Sequence, residues 1–192
     1  MPSTPTLVLI GPAAAGKTTL GEQAARLLGV PFVDLDEIGE RYYAEVGWSL
    51  LRLGECSRQV GRVAAERLWE PARAHAVARA VAEHPGAVLA LGAGHTSYTD
   101  SRCLARVSVA LADAPGVALI LPSADREASL AELRRRALSS KGTSWISNGH
   151  DFLAEWLDDP GMHSLATEVV YTEGRSLGAV AAQLAAVVGS TR

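Results

Sequence analysis

Gly11-Pro12-Ala13-Ala14-Ala15-Gly16-Lys17-Thr18 decides how the rest of the chain is read. Two glycines with four residues between them, then a lysine and a hydroxyl residue, fill the phosphate-loop template completely. Ahead of it, Thr6-Leu7-Val8-Leu9-Ile10 is a short apolar run that reads as a buried strand. Behind it, Lys17 to Leu28 carries Leu20, Ala24, Leu27 and Leu28 at helical spacing and meets a stop at Gly29 and Pro31. Strand, loop and helix is the order the template needs. Gly11 and Gly16 open dihedrals closed to other residues, so that the amides from Ala13, Ala14 and Ala15 through Gly16, Lys17, Thr18 and Thr19 can turn toward phosphate oxygens at a helix N-terminus. Lys17 would then reach β and γ phosphates, and the Thr18 hydroxyl would ligate Mg²⁺. Lysine usage sharpens this reading: Lys17 and Lys141 are the only lysines among 18 basic residues, so a compact point charge is kept where arginine is otherwise the default.

Composition sets the outer bounds. A chain of 192 residues, 48% hydrophobic, is long enough to bury one full core, and residues 1–192 are expected to form one domain. A net charge of −3 and a pI near 6.0 give no basic field, which argues against a nucleic-acid or membrane-surface partner. Cys56 and Cys103 stand in no metal spacing and read as buried thiols of a reducing compartment. No apolar run reaches the roughly 18 residues of a membrane span, and no leader is read before the first strand, so a soluble, cytoplasmic and monomeric protein is expected.

Residues 1–5 read as a polar lead without order until Thr6. The second apolar run, Val30 to Asp34, ends in Asp34-Leu35-Asp36, which puts two carboxylates at the C-terminal end of a strand, where open α/β sheets bind ligands. One could hold a Mg²⁺ ion or accept the proton of an attacking hydroxyl, and the other could bind neighbouring substrate hydroxyls. Alternatively, Asp36 N-caps a helix from Glu37 to Val46. A helical excursion over about 36–83 follows, with patches at Ser49–Leu53 and Ser57–Trp69 and, with Pro71 in its first turn, at Ala72–Ala82. Arg58, Arg62, Arg67 and Arg73 decorate it. Ala87–Leu91 reads as a third strand, running into Gly92-Ala93-Gly94-His95, whose small residues allow a substrate close to the backbone. Then come a helix over Ser101–Ala112, a strand over Val117–Leu121, a helix capped by Ser123 and running through Leu138, and a polar segment from Ser139 to Gly149. A helix over His150–Leu157, a fifth strand over Glu168–Thr172 and a last helix over Leu177–Val188, capped by Ser176, complete the chain. The segment over about 134–158, with arginines at its root, has the character of a mobile lid, although a plain surface loop fits the same pattern.

With these residues in place the chain resembles the shikimate kinase family along nearly its whole length. The phosphate loop, the Asp34-Leu35-Asp36 pair, Val88 to Gly94, the arginine-rich lid root and Gly174-Arg175 carry the resemblance. It implies a three-layer α/β/α fold with a five-stranded parallel sheet, and an ATP- and Mg²⁺-dependent kinase for a hydroxyl of a small polyol, shikimate or shikimate-like. It further implies Asp34 near the metal and the reacting hydroxyl, Asp36 on substrate hydroxyls, Gly92 to His95 at the substrate, Lys141 as the lid cation, and Arg135 with Arg175 near adenine. Two departures stand out. The family's substrate arginine beyond the acid pair could be Arg62 or Arg67, and its second substrate arginine, after the lid, has no counterpart between Asp151 and Pro160. Gluconate-type sugars, antibiotics or a non-catalytic nucleotide-binding role stay open as alternatives.

Overall fold

The computed structural model describes residues 3–189, apart from the side chain of Lys141. At its centre lies β1 (Leu7–Ile10), whose four side chains are wholly buried. Each contributes roughly 1.5–3 kcal/mol of transfer free energy. The other strands of the sheet are β2 (Phe32–Asp34), β3 (Val88–Ala90), β4 (Val117–Leu121) and, last in sequence, β7 (Glu168–Tyr171), all parallel in the order β2-β3-β1-β4-β7. Strands buried on both faces explain why β1 and β4 read as unbroken apolar runs instead of alternating. The chain moves to one side of β1 for β2 and β3 and to the other for β4 and β7, and this reversal opens a crevice at the carboxyl ends of the strands.

Helices cover the sheet: α1 (Lys17–Leu28), α2 (Leu35–Ala44), α3 (Leu50–Val60), α4 (Arg62–Glu83), α5 (Ser101–Leu111) and α6 (Arg126–Lys141), then, beyond a small hairpin, α7 (Phe152–Asp158), α8 (Pro160–Leu165) and α9 (Leu177–Gly189). The first helix occupies the expected span, and it ends on Gly29 in the left-handed conformation, which Gly adopts without steric cost.

Several sequence expectations are corrected. The chain is already anchored at Thr4, whose hydroxyl donates to the Asp113 carbonyl and whose carbonyl accepts from the Gly86 amide. In α2 it is Asp34, not Asp36, that caps the helix, so α2 starts at Leu35. The break in the helical excursion falls at Gly61 (φ 85°), and α4 runs unbroken through Pro71, which lies mid-helix and exposed instead of opening a new helix. Helix α6 is capped by Asp125, not Ser123, because Asp125 accepts from the Ala128 amide while Ser123 closes a turn with Ser129. The expected helix from His150 starts at Phe152, since His150 and Asp151 form strand β6, which pairs antiparallel with β5 (Ile146–Ser147). The turn between them, Asn148-Gly149, has both φ angles positive (50° and 78°), as a two-residue hairpin loop requires. Of the two free cysteines, Cys103 is buried and Cys56 only partly so.

Candidate active site

The phosphate loop leaves β1 and enters α1 at the crevice. Lys17 is buried, and its Nζ donates to the carbonyls of Gly11 at 2.9 Å and Pro12 at 2.8 Å, so the ammonium is held inside the curve of its own loop. Ala14 takes φ +62°, a left-handed conformation that costs a Cβ-bearing residue about 1–2 kcal/mol. That strain sits where successive amides must turn inward.

Asp34 stands at the end of β2 and divides its oxygens. Oδ1 accepts from the Asp36 amide at 2.9 Å, capping α2, while Oδ2 accepts from the Thr18 hydroxyl at 2.7 Å. The pair joins the first turn of α1 to the edge of the sheet. A hydroxyl and a carboxylate oxygen are hard donors, and a Mg²⁺ ion held by few protein groups keeps waters and phosphate oxygens for the rest of its shell. Thr18 and Asp34 fit that role, and among the described residues no group of three or more His, Cys, Asp or Glu side chains could enclose a metal.

One cavity of about 610 Å³ spans this region. Its phosphate end is lined by Ala13, Ala14, Gly16, Lys17, Thr18, Thr19 and Asp34, and its far end by Asp36, Tyr43, Arg62, Glu66, Trp69, Arg73, Ala93, Gly94 and His95. Trp145, Trp156, Arg136, Ser139 and Ser140, from the segment between the end of α6 and α7, roof it. The hairpin reaches across to the start of α4: a Cβ on Gly61 would sit 3.6 Å from Asn148 Nδ2, and Arg62 lies over the Trp145 ring at 5.9 Å. The end of α6 is tied to α7 by Arg134 and Asp151 at 2.6 Å.

At the far end, buried His95 meets the Tyr43 hydroxyl through Nε2 at 2.6 Å, and its Nδ1 lies 3.8 Å from Asp36 Oδ1. Burial pushes the imidazole pKa down to about 4 against the opposing pull of Asp36, so the ring is neutral at physiological pH. Burial also raises the Tyr43 phenol well above its usual range, which keeps the proton on that hydroxyl. Gly92 and Gly94 are needed for packing: a Cβ on Gly92 would strike Asp36 and His95, and one on Gly94 would strike the Arg73 guanidinium.

Among the expected substrate residues, Asp36, Arg62, Ala93, Gly94 and His95 line the cavity, while Gly92 lies beneath Asp36 and His95. Arg67, the other arginine offered for the substrate, lies outside the cavity lining, paired with Glu155 at 2.6 Å and Glu70 at 3.6 Å. Gly11 and Ala15 support the loop from behind, with Ala15 buried. Arg135 and Arg175 line a second cavity of about 620 Å³ with Pro122, Thr172 and Gly174, and Arg136 borders both cavities. The Lys141 side chain lies outside the described residues. Sequence reading passed over Tyr43, Glu66 and Trp69 and treated Arg73 as surface decoration. Arg73 is 3% exposed, donates to the carbonyls of Gly94 and Glu66, and stacks over Trp69 at 5.4 Å.

Sheet order, phosphate loop and crevice together define a phosphate-loop kinase fold. A family model described as shikimate kinase matches residues 13–115, more than half of the chain, and this chain belongs to the shikimate kinase family. The shikimate kinase of Thermobifida fusca is 38% identical over 94 residues, 49% of this chain and 48% of that protein. That of Corynebacterium efficiens is 36% identical over 102 residues, 53% of each. The chain thus matches about half the length of these curated relatives, and that of Histophilus somni over only 25% of its length. In three dimensions, shikimate kinase from Acinetobacter baumannii in complex with shikimate superposes with a TM-score of 0.69 at 21% identity, covering 98% of this chain and 94% of that one. The family match ends before β4, so it does not reach the segment from α6 to α7.

Proposed function

We propose that the protein is an ATP- and Mg²⁺-dependent kinase that transfers the γ-phosphoryl group to a hydroxyl of a small polyol ring of the shikimate kind. The observation that carries this reading is the 2.7 Å contact of Thr18 Oγ1 with Asp34 Oδ2, set in one cavity with Lys17 on one side and Asp36 on the other. The residues proposed as metal ligands, phosphate cation and acceptor carboxylate share one cavity, as a phosphoryl transfer needs.

The loop amides and Lys17 would hold the β and γ phosphates, and Thr18 with Asp34 would hold a Mg²⁺ ion, whose chemistry there would be to neutralise charge on the phosphate oxygens. Asp34 orients the acceptor hydroxyl and receives its proton as the hydroxyl oxygen bonds to the γ phosphorus. The bond from that phosphorus to the bridging oxygen breaks, and its electron pair leaves with ADP. The roof of Trp145 and Trp156 keeps water from competing, and Arg136 is placed to meet charge on the transferred group. The cavity lined by Arg135 and Arg175 is assigned to the nucleoside.

The test is ADP release at saturating Mg-ATP with shikimate and with neutral cyclitols as acceptors. Lys17→Arg and Asp34→Asn are each expected to lower kcat by about a hundredfold or more, since a planar guanidinium cannot replace a point charge and an amide cannot take a proton. Full kcat in either variant removes the assignment.

A further inference from the structure

Four buried polar atoms without a hydrogen-bond partner among the described residues belong to side chains lining the 610 Å³ cavity: Trp69 Nε1, Arg73 Nε and His95 Nδ1 at its far end, and Trp145 Nε1 in its roof. Buried donors are normally satisfied, so this cluster calls for a ligand that supplies acceptor oxygens. The charges at the same end are already matched within the protein. Arg62 closes on Glu66 at 2.5 Å, Arg73 lies 3.9 Å from the other Glu66 oxygen, and Asp36 adds a second anion. A carboxylate brought here would share the Arg62 guanidinium, whose Nε and Nη2 already meet Glu66 Oε1, with a Glu66 side chain that is only 7% exposed, setting two anions on one cation beside Asp36.

We propose that the acceptor is a polyhydroxylated ring that carries no carboxylate, with hydroxyls on Asp36 and His95 and ring faces against Trp69 and Trp145. A hydroxyl accepts from the indole, guanidinium and imidazole N–H groups and donates to Asp36 without adding charge. We assign the proton of the neutral His95 ring to Nδ1, beside Asp36, with the Tyr43 hydroxyl donating to Nε2. The Trp69 ring stacks edge-on to Tyr43 at 4.9 Å, and Trp145 to Trp156 at 5.1 Å, making two rigid apolar walls suited to the C–H faces of such a ring.

The proposal rests on the kinase reading, so nucleotide binding is measured separately, with a non-hydrolysable ATP analogue and Mg²⁺. Shikimate and its methyl ester, which share every ring hydroxyl and differ in the carboxylate, are then titrated calorimetrically into the nucleotide-loaded protein. The ester is expected to bind at least tenfold more tightly. Glu66→Gln, which removes the negative charge facing Arg62, is expected to narrow that ratio or reverse it. Shikimate binding as tightly as the ester, no binding of the ester, or an unchanged ratio in a folded Glu66→Gln protein overturns the proposal. Should that variant fail to fold, the comparison on the unaltered protein decides alone. Absent nucleotide binding would instead overturn the kinase reading.

Discussion

At Ala14 a methyl group sits on a backbone twisted to φ +62° inside the phosphate loop. Glycine reaches that conformation at no steric cost, so Ala14→Gly is expected to stabilise the protein by about 1 kcal/mol, readable as a raised urea midpoint at unchanged slope. The gain is bounded by the extra freedom glycine has when unfolded. A second residue-scale expectation concerns the acid pair. Asp36→Asn should raise the acceptor KM with kcat within a few-fold, because Asp36 faces the far end of the cavity while the Thr18 contact belongs to Asp34. An Asp36→Asn enzyme whose kcat collapses while KM holds would contradict that division. The positions of the loop residues at the crevice were legible because the template fixes them by spacing. Those of Arg73, Glu66, Tyr43 and Trp69 were not, since a helical arginine or tryptophan reads the same whether its face meets solvent or a cavity. Only packing of α2, α4 and the Gly94 turn reveals it.

Elements were read well where local chemistry rules. Helix α1 and strand β4 occupy their expected spans, each being set by the apolar period and flanking Gly or Pro. Proline misled the reading at Pro71, since burial of Ala65, Trp69, Ala72, Val77 and Val81 along one continuous helix outweighs a single missing amide. Pro71→Ala should therefore stabilise the fold by about 1–3 kcal/mol, seen as a raised thermal midpoint with activity kept. No rise would mean that the Arg67 carbonyl already has another partner. The hairpin around Asn148-Gly149 was legible and missed: an Asn-Gly pair is a turn signal, but its strands are too short for alternation to announce them.

For the whole molecule, the parallel sheet and its crevice followed from strands alternating with helices, whereas the aromatic group at the far end of the cavity did not, because Tyr43, Trp69 and His95 are far apart in sequence. The same tertiary burial sets an acid response. His95 titrates near 6.5 when unfolded and at about 4 when folded, so its neutral form is favoured by folding. Stability is then full above about pH 6.5 and declines as pH falls toward 4, by roughly 3 kcal/mol. His84, also lowered by burial, acts in the same direction, so the comparison must be made against His95→Gln. Chemical denaturation at intervals from pH 7 to 4.5 should give a shallower decline in that variant. Equal slopes would place the ionisation elsewhere.

The divided carboxylate of Asp34 has a consequence for what this position can become. Its two oxygens reach opposite ways, one to the first turn of a helix and one to a hydroxyl on another. Lengthening the side chain by a single methylene, as glutamate would, moves both oxygens outward together and lets neither contact be kept without giving up the other. Position 34 is thus fixed by reach as much as by charge, and of the two acidic side chains only the shorter can join α1 to α2 there.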